Sequence, residues 1–135
     1  MDSYSLAKTI ANLTLDKKAH DVIIIELKEV ASFTDYFVIC SADSDTQVKA
    51  VTDFVLDELR KDDIHVWRSE GYESLNWVLL DFVDVVCHIF HKDTRSYYHI
   101  EKMWGDAKRE EIVDLKEKQF VKKPVTRKKK NAEVS

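Results

Sequence analysis

One apolar stretch, residues 76–90, limits the folds open to this chain more than any other segment. It reads Asn-Trp-Val-Leu-Leu-Asp-Phe-Val-Asp-Val-Val-Cys-His-Ile-Phe, and most of its residues are β-branched or aromatic. Such side chains fit a pleated and largely buried surface. The interruptions at Asp81 and Asp84 predict two strands, 77–81 and 84–90, that fold on each other at a two-residue turn. We therefore predict a buried β-hairpin around which the rest of the chain packs.

The remaining apolar patterns predict helices and strands in the order α-β-β-α-β-β-β-α. Leu6, Ile10 and Leu13 mark one face of a first helix, and 22–25 is a continuous apolar run typical of a central strand. The predicted segments are helices over 3–17, 45–61 and from 93 or 94 to 104, and strands over 22–25, 36–40 and 65–67, besides the hairpin. The fold class that follows is a single α/β (α+β-like) domain, with a mixed sheet of about five strands flanked by helices.

Local signals predict where these segments end. Ser44 and Gln47 have the spacing of a capping box, and Gly105 is placed to follow the last helix as its C′ residue. The polar segment 68–74 is predicted to be a loop. Beyond Gly105, a weak pattern of Ile112, Leu115 and Phe120 predicts a short exposed helix, and disorder is expected from residue 122 onward.

The charges divide the chain into an acidic body and a basic tail. Residues 1–115 carry 13 Lys/Arg against 23 Asp/Glu, whereas residues 116–135 carry 8 against 2. An acidic body is a poor footprint for nucleic acid. The run 127–130 would be attracted weakly to RNA phosphates at low salt, although such tails are more often solvated extensions.

Cellular location is predicted from what the sequence lacks. No apolar run approaches the roughly 20 residues of a membrane span, and the first residues have neither the basic nor the apolar region of a signal peptide. Cys40 and Cys87 both lie in predicted strands, which favours buried free thiols over a disulfide. We expect a cytoplasmic protein that does not enter a membrane.

Asp81 and Asp84 admit two interpretations. Together with Asp43 and Asp45 they could hold Mg²⁺ for phosphoryl transfer, because hard cations prefer carboxylate oxygens. Asp residues also favour turns and helix starts for purely local reasons. With only two glycines in 135 residues, a backbone cradle for phosphate is almost excluded, which argues against an ordinary nucleotide-dependent enzyme.

The hairpin also predicts one distinctive sheet face. Strand alternation places Trp77, Leu79 and Asp81 on one side, and Asp84, Val86, His88 and Phe90 share a side of the second strand. Such a face could be an interface with a Trp anchor and carboxylates that select a basic partner, or Trp77 could simply be core. A zinc site at His88 and His91 is disfavoured, since residues three apart on a strand point to opposite faces.

Several segments together resemble the ribosomal silencing factors, the RsfS/Iojap family. The match covers roughly residues 4–107 in the family's order and spacing. The matching segments are Thr-Asp-Tyr-Phe-Val-Ile-Cys-Ser at 34–41, Gln-Val-Lys-Ala at 47–50, Glu70-Gly71, Trp-Val-Leu-Leu-Asp at 77–81, Asp-Val-Val-Cys-His-Ile-Phe at 84–90, Tyr97-Tyr98, Ile100-Glu101 and Trp104-Gly105-Asp106. We accordingly expect a silencing-factor domain over residues 1–107 and a basic, disordered tail over 108–135.

The resemblance implies a fold related to nucleotidyltransferases but without their catalytic loop, and a role that is not enzymatic. It implies docking on the large ribosomal subunit through ribosomal protein uL14. The bound factor would block joining of the small subunit and repress translation when nutrients are short. It also implies a homodimer and no cofactor. The residues that match the family's docking positions are Glu70, Trp77, Asp81, Asp84, His88 and Tyr98.

Two rival functions remain open at the level of sequence. One is a metal-dependent nucleotidyltransferase-like enzyme that uses the four aspartates named above. The other is a homodimeric structural module that uses the Trp77 face for self-association. An acidic body suits a basic ribosomal protein as partner, which favours the silencing factor over both.

Overall fold

The computed structural model describes residues 1–113, except for the side chain of Tyr97. Three α-helices, one 3-10 helix and six strands make up these residues. In chain order they are α1 (Ser3–Asp16), β1 (His20–Glu26), β2 (Tyr36–Ala42), α2 (Asp45–Lys61), β3 (Arg68–Glu70), β4 (Trp77–Asp81), β5 (Val85–His91), α3 (Lys92–Tyr98), the 3-10 helix (Ile100–Trp104) and β6 (Arg109–Ile112).

The six strands form one mixed sheet in the order β3-β4-β5-β2-β1-β6. The central pair, β2 and β5, is parallel, and every other neighbouring pair is antiparallel. All seven residues of β2 are buried, as are six of the seven in β5. The predicted fold class is confirmed, with a sheet of six strands where about five were expected.

Helices α1 and α2 cover one face of this sheet. Their apolar positions, among them Ile10 and Val51, pack against Val78, Leu80 and Cys87 in the larger of two cores. Asp2 caps α1 by accepting a hydrogen bond from the Ser5 N–H. Cys40 and Cys87 are free and fully buried, as predicted, and burial raises the pKa of the Cys40 thiol to about 12.

The capping box at α2 is only half formed. The Ser44 hydroxyl accepts a hydrogen bond from the Gln47 N–H at 3.2 Å, as expected. The Gln47 side chain does not reach back to Ser44. Instead it donates to the Lys17 carbonyl oxygen at 2.6 Å and joins the end of α1 to the start of α2.

Both sheet edges differ from the prediction. The edge strand β3 lies at Arg68–Glu70, inside the segment predicted to be a loop, and not at 65–67. At the other edge, β6 pairs with β1 through Val22 and Ile112, so Ile112 lies in a strand and not in a short helix. Residues 109–112, predicted to belong to the disordered tail, thus form an ordered strand. Leu115, Phe120 and the rest of that tail, residues 114–135, lie outside the described residues.

The last helix is shorter than predicted because the chain turns at His99. His99 adopts the left-handed conformation, with φ 49° and ψ 46°, and its N–H bonds the Arg95 carbonyl oxygen. The following 3-10 helix ends at Trp104, and Gly105 after it has a right-handed φ of −57°. The prediction that Gly105 terminates one continuous helix is therefore wrong, and His99 makes the break.

Candidate partner-binding face

The hairpin is confirmed, but its second strand begins at Val85 and not at residue 84, so Asp84 lies in the turn. The hairpin places a set of aromatic rings on the sheet face opposite α1 and α2. Strands β4 and β5 pair in the register Trp77↔Phe90 and Leu79↔His88. Their other side chains, including Val78 and Ile89, enter the helix-covered core. We call the ring cluster the aromatic face; its members are Phe33, Phe37, Trp77, His88, Phe90, Tyr98 and Trp104.

Trp77 is the centre of this cluster. Its ring stacks on Phe90 with centroids 4.8 Å apart and meets Tyr98 at 5.4 Å. Its indole N–H donates a 3.0 Å hydrogen bond to the Nδ1 atom of His88. Trp77 is half-buried, so one part of its ring packs against the sheet while another part reaches solvent. Trp77 therefore packs in the core and also presents part of its ring to solvent. The sequence left open which of these two positions it takes.

His88 contacts Trp77 from the buried side of the ring cluster. Its side chain is only 3% exposed, and the Phe37 ring lies edge-on with centroids 4.4 Å apart. Because Nδ1 accepts from Trp77, the ring proton is placed on Nε2, which has no hydrogen-bond partner among the described residues. Burial lowers the pKa of His88 to about 3, so the ring is neutral. His88 is placed to orient Trp77 more than to touch a partner.

Two aromatic side chains of the face reach solvent. Tyr98 is 55% exposed and Phe33 is 59% exposed. Phe33 contacts both Phe37 and Trp104 with centroids 6.1 Å apart. The sequence pattern predicts a role for Tyr98 but not for Phe33, because Phe33 lies in a loop without periodicity. Exposed aromatic rings beside a packed cluster are typical of protein–protein interfaces.

Charged side chains border the face on the β3 side. Arg68 pairs with Glu70 at 3.4 Å and with Asp81 at 3.6 Å. Glu70 is exposed, whereas the Asp81 residue is only 9% exposed. Of these two predicted docking carboxylates, only Glu70 is therefore open to a partner.

Asp81 and Asp84 serve the hairpin turn. The Asp81 carboxylate accepts a 2.8 Å hydrogen bond from the Val83 N–H, and Val83 adopts a φ of 77°, which is unusual for a β-branched residue. The Asp84 carbonyl oxygen accepts from the N–H groups of Asp35 and Tyr36. The side chain of Asp84 is exposed at the tip of the turn. The turn interpretation of these aspartates is the one that the geometry favours.

The four aspartates of the metal hypothesis do not meet. Because β2 and β5 are parallel, Asp84 lies at the amino end of the sheet's central pair and Asp43 at its carboxyl end. A seven-residue strand separates these ends by roughly 20 Å. Asp43 instead bonds His20 at 2.8 Å. A single metal centre built from both aspartate pairs is therefore ruled out.

No other metal site emerges from residues 1–113. They contain no group of three or more His, Cys, Asp or Glu side chains that could hold a metal ion. His91 accepts a hydrogen bond from the Asp93 N–H and caps α3, on the other side of β5 from His88. None of the helices in the described part of the chain is long and apolar enough to cross a membrane.

Gly71 fixes the backbone before Trp77. Its φ is 86°, and an added Cβ atom would lie 2.0 Å from the Trp77 carbonyl oxygen. Only glycine tolerates both the left-handed conformation and this close approach. The Leu75 N–H donates a hydrogen bond to the Gly71 carbonyl oxygen and closes the turn between β3 and β4. This turn sets the position of Glu70 relative to Trp77.

The sequence and the fold both match known proteins. The family model described as "Ribosomal silencing factor during starvation" matches residues 1–135. Ribosomal silencing factor RsfS of Bacillus subtilis is 42% identical over 107 residues, which cover 79% of this chain and 91% of that protein. The RsfS protein of Halalkalibacterium halodurans is 41% identical over 107 residues, covering 79% and 92%.

A solved structure agrees with these relatives. The crystal structure of a Chromobacterium violaceum protein matches with a TM-score of 0.75 at 32% identity, covering 84% of this chain and 95% of that one. Together, the family model, the relatives and the shared fold show that this chain belongs to the ribosomal silencing factor family.

Proposed function

We propose that this chain is a translational repressor that acts by docking and not by catalysis. The aromatic face binds ribosomal protein uL14 on the large ribosomal subunit, and the bound chain prevents the small subunit from joining when nutrients are short. A factor with this role works in the cytoplasm without a cofactor. The observation that carries the proposal is a partly exposed Trp77 in a member of the silencing factor family, held by a buried histidine and in ring contact with Tyr98. Glu70 is exposed on the neighbouring strand β3, opposite Leu79.

The composition of the face supports a protein partner. Tryptophan and tyrosine supply large contact areas with few rotatable bonds, and such residues carry much of the binding energy in protein interfaces. Glu70 adds a negative charge at the border, and the body of the chain carries an excess of acidic residues. This charge favours a basic partner such as a ribosomal protein and speeds their encounter.

Docking is tested by co-sedimentation with purified large subunits, followed by addition of small subunits. The wild type is expected to travel with the large subunit and to reduce formation of complete ribosomes. Tyr98→Ala and Glu70→Lys should each weaken co-sedimentation by about tenfold, since they remove an exposed ring and reverse an exposed charge. Neither position lies in the buried core, so both variants should keep the wild-type circular dichroism spectrum.

Two matched controls accompany these variants. Glu58→Lys makes the same charge reversal on α2, and Trp67→Ala removes a tryptophan that is 67% exposed and makes no ring contact with the aromatic face. Both should bind like the wild type. The proposal fails if the wild type stays at the top of the gradient, or if the controls bind as weakly as Tyr98→Ala.

The same face could instead hold a second copy of this chain, as in the homodimeric module. We expect a dimer. If uL14 binds the aromatic face, the dimer interface must lie on another surface and leave Tyr98 accessible to uL14. Measuring the mass in solution with and without uL14 separates the two uses. If uL14 leaves the dimer intact, self-association uses another surface; if only the dimer forms and uL14 does not bind, the structural module is correct.

A further inference from the structure

Helix α3 carries Tyr98 to the aromatic face, but its sequence gives it little apolar surface to pack. It reads Lys-Asp-Thr-Arg-Ser-Tyr-Tyr, without an aliphatic residue, and none of its side chains that the structure describes is fully buried. A helix of seven residues is not stable in isolation and depends on contacts with the rest of the chain. The position of Tyr98 therefore has to be fixed by contacts with other elements.

Arg95 supplies such contacts between α3 and the sheet. Its Nη1 atom donates to the Ser41 hydroxyl on β2 at 3.0 Å and to the Asp21 carbonyl oxygen on β1. The Arg95 side chain is only 11% exposed, so the guanidinium is held between α3 and the sheet. A planar guanidinium with several donors is suited to joining separate elements in one geometry.

The same side chain closes the turn that follows α3. Its Nε atom donates to the Oε2 atom of Glu101 at 3.3 Å, and the Arg95 carbonyl oxygen accepts from the N–H of the left-handed residue His99. The Glu101 side chain is 20% exposed, and its Oε1 atom is buried without a hydrogen-bond partner among residues 1–113. Removing either member of this ion pair would leave the other with a largely buried, uncompensated charge.

Tyr98 lies between the two ion-paired residues. It follows Arg95 by three residues and precedes Glu101 by three, and its ring meets Trp77 with centroids 5.4 Å apart. Because both ends of this segment are tied to one anchored guanidinium, the backbone that bears Tyr98 is held over the sheet.

We propose that Arg95 is a positioning residue for docking, which holds Tyr98 against Trp77 without belonging to the aromatic face. Its consequence for binding rests on the proposed docking function. Its effect on the two rings is tested without a partner.

The first test follows the Trp77 indole N–H signal in NMR spectra of the ¹⁵N-labelled full chain, and Trp77→Phe identifies that signal. The ring contact makes its chemical shift sensitive to the position of Tyr98. Arg95→Gln should move the signal in the same direction as Tyr98→Ala. Arg60→Gln is the matched control and should leave it in place, since Arg60 pairs with Asp57 on the exposed surface of α2. A wild-type indole signal in folded Arg95→Gln would overturn the inference.

The second test is a double-mutant cycle on binding to purified large subunits. Arg95→Gln should weaken binding by about tenfold in the wild-type background, and by less than about twofold in the Tyr98→Ala background, where the ring through which it acts is absent. Equal losses in both backgrounds would show a general structural role and overturn the inference. If Tyr98→Ala alone binds like the wild type, the proposed docking function fails, and the indole signal alone decides whether Arg95 positions Tyr98.

Glu101→Ala keeps both tests available if Arg95→Gln does not fold. It leaves Arg95 anchored at Ser41 and Asp21 and removes the side-chain tie to the 3-10 helix. It should move the Trp77 indole signal in the same direction and lose most of its effect on binding in the Tyr98→Ala background. Circular dichroism establishes which variants are folded. A folded Glu101→Ala chain with the wild-type indole signal would contradict the inference.

Discussion

At the scale of single residues, His88 is the clearest case of a side chain that the sequence singles out and whose role needs the structure. Its position in the family pattern suggests a docking residue. Its neighbours instead bury it beneath Trp77, where Nδ1 accepts the indole hydrogen bond. No sequence pattern distinguishes a histidine that touches a partner from one that orients the residue that does.

Burial of His88 predicts a dependence of stability on pH. The pKa is about 3 in the folded chain and about 6.5 in the unfolded chain. Between these values the unfolded state binds a proton that the folded state does not, so the free energy of unfolding falls as the pH drops below 6.5. The decrease from this one group should reach about 2 kcal/mol at about pH 5. Urea denaturation followed by circular dichroism, at neutral pH and at about pH 5, measures it.

The matched variant is His88→Asn, whose side-chain oxygen can still accept from Trp77 but which does not titrate. Its unfolding free energy should fall about 2 kcal/mol less between neutral pH and about pH 5 than that of the wild type. His65→Asn removes an exposed histidine and should follow the wild-type profile. Parallel profiles for His88→Asn and the wild type would mean that His88 is not buried as a neutral ring.

At the scale of elements, helix starts and the hairpin could be predicted, and the sheet edges could not. Asp2 and Ser44 cap their helices through contacts within three residues, so the sequence carries the whole signal. Strands β3 and β6 exist because they pair with β4 and β1 across the sheet, and their residues are largely exposed. Pairing with a distant strand leaves little trace in such short polar segments.

The two glycines make a matched pair for testing the turn before Trp77. Gly71→Ala should destabilise the chain by more than about 1 kcal/mol, because the added Cβ meets the Trp77 carbonyl oxygen and the φ of 86° disfavours alanine. Gly105→Ala should be neutral or stabilising by up to about 1 kcal/mol, since its φ is −57° and the nearest atom lies 3.6 Å away. Urea denaturation of both variants measures the difference, and equal stabilities would contradict the tight turn.

At the scale of the whole molecule, the sheet separates two kinds of surface. One side is covered by α1 and α2 in the larger core, and the other carries the aromatic face. The aromatic side of the hairpin could be predicted from strand alternation in residues 77–90. The Arg95–Glu101 ion pair could not, because it depends on the left-handed turn at His99 between α3 and the 3-10 helix.

The basic tail carries a charge opposite to that of the acidic body. Its contribution to ribosome binding can be measured from the salt dependence of the affinity. Residues 116–135 carry 8 Lys/Arg against 2 Asp/Glu and lie outside the described part of the structure. If the tail contacts ribosomal RNA, its deletion should weaken large-subunit binding at low salt. The plot of log affinity against log salt concentration should also become shallower, by about 0.7 for each phosphate that the tail no longer neutralises.

A charge-specific variant separates this effect from simple shortening of the chain. Replacing the four basic residues 127–130 with glutamine keeps the length and removes four positive charges. It should reduce the salt slope by up to about 3, while docking through the aromatic face persists at higher salt, where phosphate contacts are weakened most. Identical slopes for the wild type, the deletion and the glutamine variant would show that the tail takes no part in binding, and the acidic body alone would then account for docking.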